Sequence, residues 1–361
     1  MTLAIAYPRE GAVGLRHERV DPLADERWLA LVRESAGAGP FHHPLWLELL
    51  RDQYGFGIDA VCVAHPDGTL AAGLPVARIR SRLTGARLVA LPFSDLCPPA
   101  VSDAAPREAL GELADALADE QRRAGVPLEI RAPLPGLPGG QPGPCFLHHV
   151  LPLGPDAATA QGRFPKSQIR RGIAKARREG VEVVRAVDRA ALDEFFRLHV
   201  RTRRHQGVPT QPKRFIHGFE RLFREGLGWV ALARWRRTTI AAAVFLSFNG
   251  TVVYKYGASD RRHLDKRPNN LLFAEAIRRA CAEHAERLDF GRTDPGNEGL
   301  AAFKRAWGSD ERELSYVRIA ADRARHEAEG VGVPAPVRTF IEHSPPAVGR
   351  MIGAALYRHF G

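Results

Sequence analysis

An internal repeat constrains the fold of this chain more than any other feature of its sequence. Each half contains, in the same order, three predicted strands, a helix and a fourth strand, indicated by apolar alternation and by turn residues. In the first half these elements cover residues 59–64, 69–80, 86–95, 104–124 and 127–133. In the second half they cover residues 228–235, 239–248, 251–259, 269–286 and 287–293. The displacement of about 160 to 170 positions is the size of an ordinary domain.

Length and loop composition also favour two domains. A chain of 361 residues is too long for one ordinary core and suits two domains of roughly 150 to 180 residues. Residues 134–145 are dense in proline and glycine, which predicts a loop or a passage between domains. We therefore expect an α+β fold with two domains, residues 1–145 and 146–320, each a mixed sheet flanked by helices.

Residues 321–361 fall outside the repeat and form a tail. A proline near position 346 followed by apolar residues at helical spacing predicts an amphipathic helix. Its expected apolar face consists of Val348, Met351, Ile352, Ala355 and Leu356. Docking onto the body of the protein is the common fate of such a helix. Contact with a membrane surface is the alternative, which the nearby basic residues keep open.

The charge balance bounds the partners of this chain. Its 52 basic and 41 acidic residues give a net charge of +11, so phosphates, nucleic acid or an anionic membrane surface are plausible partners. A hydrophobic content of 45% is that of an ordinary soluble globular protein. The total charge does not choose among these partners, so the position of the charges matters more.

The cysteines and the first residues indicate an ordinary intracellular protein. Cys62, Cys97, Cys145 and Cys281 are widely spaced, without a CxxC motif, so we expect buried small side chains and neither a metal site nor disulfides. The opening residues lack the basic and long apolar regions of a signal peptide. We expect a cytoplasmic protein, with attachment to the inner face of the membrane through the tail helix as the alternative.

The densest basic segment is FPKSQIRRGIAKARREG, residues 164–180. It predicts a helix that presents several cations on one outer face, and like charges at that spacing repel one another. An anion that neutralises them would therefore be favoured, and the candidate binding residues are Lys166, Arg170 and Arg171. A solvated surface helix is the alternative interpretation. A second basic cluster, Arg201 to His205, is weaker because a helix C-terminus favours cations for structural reasons alone.

A further anion site is predicted at the start of the helix that opens with Pro268. Asn269 and Asn270 lie in its first turn, where free backbone N–H groups attract anions. The same residues are also ordinary helix-start signals. The turn that cradles the coenzyme A pyrophosphate in common N-acetyltransferases is absent, as are GxxxxGK[ST] and GxGxxG. These absences disfavour a conventional acetyl-CoA or nucleoside-triphosphate enzyme.

The second half resembles a known family in several ordered motifs. These are IRRGIAKARREGV, HVRTRRHQGVPTQP, VYKYGASD, RPNNLLFAEAI and LDFGRTDPGNEGLAAFKRAWG. Together they resemble Fem-type aminoacyltransferases and BioF2-like acetyltransferase-domain proteins, whose fold is a tandem of GNAT-like domains. The resemblance is strongest over residues 160–320 and weaker over 40–135, where PFSDLCPP is the most similar piece.

The resemblance implies amide formation, in which an amine attacks an activated acyl carbon. The family's lysine near the reacting ester falls on Lys304, which would stabilise charge on the acyl oxygen or on the leaving group. Arg292, Lys255 and Tyr256 would line the same cleft. Asp95, in the first half, would accept a proton from the amine or orient it.

The resemblance also implies the kinds of substrate. The donor would be an aminoacyl-tRNA, with an acyl-CoA as the alternative, and no tightly bound cofactor is implied. The acceptor would be an anionic small molecule, either a pyrophosphate-bearing precursor or a sugar, in the synthesis of cell wall, polysaccharide or a related envelope component. The long charged helical hairpin that some members carry is absent, which weakens the case for tRNA.

Each candidate also has a structural alternative. Lys304 could be an exposed helix residue, Arg292 could pair with Asp294 or Glu298 and only fix a loop, and Tyr256 could belong to the core. Phe303 and Trp307 are most simply the apolar anchor of the helix that carries Lys304. A non-catalytic RNA or nucleotide binder on the same fold is the competing function, and it rests on the net charge alone.

Overall fold

The computed structural model describes residues 14–164, 168–321 and 335–359. The strands are β1 (Arg16–Val20), β2 (Gly57–Ala64), β3 (Leu70–Ser81), β4 (Gly85–Ala90), β5 (Ala100–Val101), β6 (Leu128–Ile130), β7 (Gln141–Pro152), β8 (Val181–Ala186), β9 (Gly228–Trp235), β10 (Thr238–Phe248), β11 (Thr251–Ser259), β12 (Arg287–Thr293) and β13 (Asp310–Ile319). The α-helices are α1 (Glu26–Glu34), α2 (Pro44–Tyr54), α3 (Ala109–Ala124), α4 (Ala157–Gly162), α5 (Ile169–Arg178), α6 (Arg189–His205), α7 (Lys213–Arg224), α8 (Pro268–Ala282), α9 (Glu298–Arg305), α10 (Ala335–His343) and α11 (Pro346–Leu356). Two 3₁₀ turns cover Pro40–His42 and Arg261–Lys266.

One continuous mixed sheet carries both halves of the described chain. Its strand order is β1-β2-β3-β4-β6-β13-β7-β12-β11-β10-β9-β8, and the short β5 pairs with β3. β13 lies between β6 and β7 and is antiparallel to both. The last described strand of the second half thus pairs with the last strand of the first-half repeat, so the two halves share the centre of the sheet.

Both halves repeat one further detail, a short parallel pairing between the third and fourth repeat strands. In the first half, β4 pairs with β6 over Leu88–Ala90 and Leu128–Ile130. In the second half, β11 pairs with β12 over Thr251–Val253 and 287–289. Since β11 and β12 continue for several residues beyond these pairs, a gap opens between their C-terminal ends.

The helix that carries Lys304 is fixed by local sequence and by an aromatic anchor. The Asn297 side chain caps α9 by accepting the backbone N–H of Leu300 at 3.2 Å. Trp307 lies four positions after Phe303, so both rings fall on the same side of the chain. Trp307 is fully buried, with its ring centre 5.2 Å from that of Phe164 and 5.5 Å from that of Phe273. This supports the interpretation of Phe303 and Trp307 as an apolar anchor.

The α+β fold and the repeated element order are confirmed. The helix predicted over 104–124 begins only at Ala109. The loop predicted over 134–145 is wrong from Gln141 onward, because β7 begins there and runs through its prolines to Pro152. Cys145 on this strand is exposed, contrary to the prediction, whereas the other three cysteines are buried.

The tail helix docks onto the body of the protein. Gly349 and Gly353 are buried, and a Cβ atom at Gly353 would overlap the backbone of Thr210. The Tyr357 hydroxyl donates to the Pro209 carbonyl at 3.0 Å, and the His359 carbonyl accepts from Thr84 and Arg87 of the first half. Met351, assigned to the docked face from the sequence, is instead 73% exposed. Among the described helices, none combines the length and apolarity needed to cross a bilayer.

Candidate active site

The gap between β11 and β12 is framed by two irregular strand ends. On β11, Tyr256 pairs with Val244 and Tyr254 pairs with Phe245, so Lys255 is an extra residue in a β-bulge. On β12, the register with β7 shifts between Asp289 and Arg292. A bulge re-aims side chains that a regular strand would alternate, and here both bulges lie beside the gap.

Lys255 projects from its bulge into an aromatic environment contributed by both halves. Its Nζ donates to the Phe93 carbonyl at 2.5 Å. The same nitrogen lies 5.0 Å from the ring centre of Phe41, 5.7 Å from that of Trp46 and 5.2 Å from that of Tyr256. Burial lowers the pKa of Lys255 to about 8, although the charge of Asp95 opposes this effect. A lysine in this position can gain or lose a proton near neutral pH.

Lys304 is anchored to the end of β12. Its Nζ donates to the carbonyl of Gly291 at 2.8 Å and to that of Arg292 at 2.9 Å. The side chain is buried, with 2% of the residue exposed, so the exposed alternative is excluded. An ammonium group has three donors, and one therefore remains for another acceptor. Burial lowers the pKa of Lys304 to about 8, against the opposing charges of Asp95, Asp289 and Asp294.

Arg292 contacts the central strands β7 and β13 and, in the first half, Asp95. Its guanidinium donates to the Tyr316 hydroxyl at 3.0 Å and packs over the Phe146 ring, 4.1 Å from the ring centre. Its Nε lies 3.9 Å from a carboxylate oxygen of Asp95. Arg292 does not pair with Glu298, because Glu298 pairs with Arg305 instead.

Asp95 reaches the gap from the loop that follows β4. The Arg131 guanidinium holds this loop by donating to the Ser94 carbonyl at 3.1 Å, and the Tyr316 hydroxyl donates to the Asp95 carbonyl at 2.5 Å. A Cβ atom at Gly291 would lie 2.3 Å from Asp95 Oδ2. Only glycine permits this approach, and its φ of +72° also favours glycine.

The Asp95 carboxylate sits in a strongly cationic environment without being neutralised by a close ion pair. Burial raises its pKa, but the charges of Lys255, Arg292, Lys304 and Arg131 outweigh burial and hold the pKa below its usual range. Among the described residues, Arg292 makes the one ion pair within 4.0 Å, and it is long. The carboxylate therefore stays ionised and can still accept a hydrogen bond from a ligand.

Four residues singled out from the sequence thus meet in one place. They are Asp95 from the first half and Lys255, Arg292 and Lys304 from the second. Tyr256 lies at the aromatic side of this group, with its ring centre 5.6 Å from that of His199 and 6.2 Å from that of Phe219. Burial raises the pKa of Tyr256, so its hydroxyl stays protonated.

The other predicted anion-binding residues lie around α5 and the start of α8. The Asn269 side chain accepts from the Ser259 hydroxyl at 3.0 Å. Asn270 packs against α5, where a Cβ atom at Gly172 would lie 2.6 Å from its amide nitrogen. Arg170 donates to the Gln161 carbonyl at 3.2 Å, and Arg171 is exposed on α5. Lys166 lies outside the described residues.

Two groups near the site were not predicted from the sequence. Tyr316 on β13 bridges Arg292 and Asp95, as described above. His148 on β7 donates through Nε2 to Asp289 Oδ1 at 2.8 Å, and both side chains are buried. Both residues lie on the two central strands that the sequence did not predict, and their neighbours carry no motif that would have singled them out.

Comparison with known protein families matches a large part of the second half. Residues 164–305 match the family described as acetyltransferase (GNAT) domain. Residues 164–305 are thus similar to a GNAT acetyltransferase domain. This match includes Lys255, Arg292 and Lys304 and occurs although the usual pyrophosphate turn is absent from the sequence. No curated protein sequence matches the chain.

Several solved structures are similar to most of the chain. FemX has a TM-score of 0.68 at 16% identity, with 84% of this chain and 97% of that chain covered. L-PGS from Bacillus licheniformis has a TM-score of 0.55 at 15% identity, covering 95% and 99%. A tandem GNAT protein from the clavulanic acid biosynthesis pathway has a TM-score of 0.52 at 14% identity, covering 86% and 100%. At these identities the likeness establishes the tandem GNAT-like fold, and the family match makes the chain an acyltransferase.

Proposed function

We propose that this acyltransferase forms an amide bond between an activated acyl or aminoacyl donor and an amine acceptor. The observation that supports this proposal best is the meeting of Asp95 with three cations of the second half across the gap between β11 and β12. A carboxylate that remains ionised can hold an amine and take its proton. The cations beside it can stabilise an oxyanion. Amide formation requires both functions at one carbon centre.

The roles follow from the donors and acceptors that are still available. The attacking amine would donate to the Asp95 carboxylate, which accepts a proton as the new C–N bond forms. The acyl oxygen gains negative charge in the tetrahedral intermediate and would accept the third N–H of Lys304. When the intermediate collapses, the bond to the leaving group breaks and the leaving group takes up the proton that Asp95 accepted from the amine. Arg292 lies within reach of the Asp95 carboxylate and would keep it ionised.

The donor class follows from weaker observations. An aminoacyl-tRNA suits the net charge of +11 and steep salt dependence would then be expected. Acyl-CoA suits the acetyltransferase family match. The structure of the tandem GNAT protein from the clavulanic acid biosynthesis pathway is specified as the form without AcCoA, which implies a form with it. We therefore keep acyl-CoA as the second candidate donor and let the experiment separate the two.

The acceptor would be an anionic molecule of envelope synthesis, with its charge near the cationic side of the gap. A pyrophosphate-bearing precursor or an acidic sugar has the required charge. We further propose that the protein acts in the cytoplasm and that exposed residues of the tail, including Met351, contact the inner face of the membrane. Partitioning onto anionic lipid vesicles, compared with a chain truncated after Ala320, tests this contact. Equal partitioning of the two chains would contradict it.

Mass spectrometry of reaction products tests the proposed activity. The purified chain is incubated with a mixture of amines, including an amino sugar and a pyrophosphate-linked muramyl peptide, and with either acetyl-CoA or bulk aminoacyl-tRNA. We expect an N-acylated product with one donor class and none with Lys304→Ala. RNA binding that weakens with salt, together with no product from either donor, would favour the non-catalytic RNA binder and overturn the proposal.

A further inference from the structure

A buried histidine–carboxylate pair lies directly behind the end of β12. His148 Nε2 donates to Asp289 Oδ1 at 2.8 Å, and the side chains are about 10% and 12% exposed. The same Asp289 oxygen accepts the backbone N–H of Gly291 at 2.7 Å. A carboxylate that joins a side chain on one strand to a turned peptide on the next fixes the relative position of both.

This pair is connected to Lys304 through a single residue, Gly291. Gly291 donates its N–H to Asp289, while its carbonyl accepts from Lys304 Nζ at 2.8 Å. The Gly291 φ of +72° turns the strand at this point, inside the bulge between Asp289 and Arg292. The direction of the Gly291 carbonyl thus depends on how firmly Asp289 holds the turn.

We propose that His148 is a positioning residue which, through Asp289, holds Gly291, the residue on whose carbonyl Lys304 is anchored. The functional part of this inference rests on the proposed role of Lys304, whereas the positioning itself is a property of the free protein. Without His148, Asp289 would lose its fixed orientation, the turn at Gly291 would relax, and Lys304 would exchange its carbonyl partners for solvent.

The electrostatic surroundings of His148 fit this role. The charged groups that face it are Asp289 and Arg292 of β12, Arg312 across the β13 ladder, Asp95 of the loop after β4 and Lys304 of α9. Burial alone lowers the pKa of His148, but the charges of Asp289 and Asp95 outweigh it and the net shift is upward. The Nε2–H that His148 donates to Asp289 is present in the protonated ring and in the Nε2–H neutral tautomer, and a protonated His148 would disfavour a protonated Lys304.

A titration of lysine resonances tests the inference without any substrate. The chain has six lysines, so ¹³C-lysine labelling gives a short list of Cε resonances. They are Lys166, Lys175, Lys213, Lys255, Lys266 and Lys304. Lys304→Arg assigns the resonance of interest by its disappearance. We expect Lys304 to titrate near pH 8 in the wild type and at a clearly higher pH in His148→Gln, because the lysine becomes more solvated and loses a neighbouring positive charge.

The matched control is a second histidine–aspartate pair elsewhere in the molecule. His217 Nε2 lies 3.0 Å from Asp193 Oδ1 at the surface between α6 and α7. His217→Gln should leave the Lys304 titration unchanged. An unchanged Lys304 titration in folded His148→Gln would overturn the inference. If His148→Gln does not fold, the titration of the wild type decides instead. Its Lys304 resonance must then show a second inflection at the pH where His148 titrates. A single inflection would contradict the coupling of the two residues.

Activity measurements add a distinction once a substrate pair is known. His148→Gln should lower kcat about tenfold to a hundredfold with little change in KM, because it displaces a group used in the transition state. A raised KM at unchanged kcat would contradict the positioning role. Since the lysine titration needs no substrate, failure of the proposed acyl transfer and failure of this inference remain distinguishable.

Discussion

The two halves of the molecule place side chains of opposite charge beside the same structural motif. In each half a three-residue parallel pairing ends beside the central strands. The first half supplies a carboxylate there, Asp95, on a loop after β4. The second half supplies cations from two bulged strands and a helix, and all six lysines of the chain lie in this half. Under the proposed mechanism, one repeated backbone would provide the proton acceptor in one copy and the anion-stabilising groups in the other.

The arrangement also explains why charges are tolerated in a half-buried cleft. An isolated buried lysine is costly, and the lowered pKa values of Lys255 and Lys304 reflect this. Asp95 offsets part of the cost for both lysines, and they in turn keep Asp95 ionised. Each half therefore stabilises the charge state that the other half needs.

The largest expected effect comes from removing the acceptor that the first half contributes. Asp95→Asn keeps the shape of the side chain but cannot take a proton, so kcat for acyl transfer should fall about 10²- to 10⁴-fold. Single-turnover product formation measures this. Asp193→Asn, on α6, changes an equally exposed carboxylate outside the gap and should leave the rate unchanged. An Asp95→Asn enzyme with the wild-type rate would show that the halves do not share one site.

A somewhat smaller loss is expected from the second half. Lys304→Ala removes one oxyanion donor, which should lower kcat about 10²- to 10³-fold. Combined with Asp95→Asn, the loss should be less than the product of the two single losses, because the two residues act on one intermediate. If the loss of kcat in the double variant equals the product of the two single losses, the two residues have independent roles.

The pH dependence of kcat should report separately on the carboxylate of the first half and on the lysine of the second half. In its proposed role Lys304 would stabilise an oxyanion best as a cation, and because its pKa is about 8 the cation is lost as the pH rises through 8. The rate should therefore fall tenfold per pH unit well above pH 8. The pKa of Asp95 lies below its usual range, so the acidic limb should lie below the pH at which an ordinary aspartate titrates. Lys304→Arg stays charged and should lose the basic limb; persistence of that limb would assign it to another group, Lys255 first.

A smaller effect tests the close approach of the two halves at Gly291. Gly291→Ala introduces a Cβ atom against Asp95, whereas Gly296→Ala, at a similar positive φ of +85°, meets no atom within 4 Å. Both should lose about 1–2 kcal/mol of unfolding free energy through backbone strain. Gly291→Ala should lose about 1–3 kcal/mol more through overlap, and Asp95→Ala should relieve that excess. Chemical denaturation measures these differences, and equal losses at the two glycines would mean that Asp95 does not approach β12 so closely.

The sequence predicted the repeat well because alternation and turn residues are local signals. It did not predict the pairing of β13 with β6 and β7, since strand pairing across 160 or more positions leaves no local pattern. The prolines and glycines at the start of β7 also concealed that strand. Lys304 and Asp95 could be singled out through the family resemblance, whereas His148 lies on β7 without a recognisable motif. The bulge that aims Lys255 at the gap is equally invisible in the residues around it.

The central claim is that one site is built across the two halves, and the titration of Lys304 in the absence of substrate tests it most directly. The negative charge of Asp95 raises the pKa of Lys304, so Asp95→Asn should shift the Lys304 Cε titration from near pH 8 to a lower pH. Asp193→Asn should leave it in place. A Lys304 titration that is identical in the wild type and in folded Asp95→Asn would contradict the account.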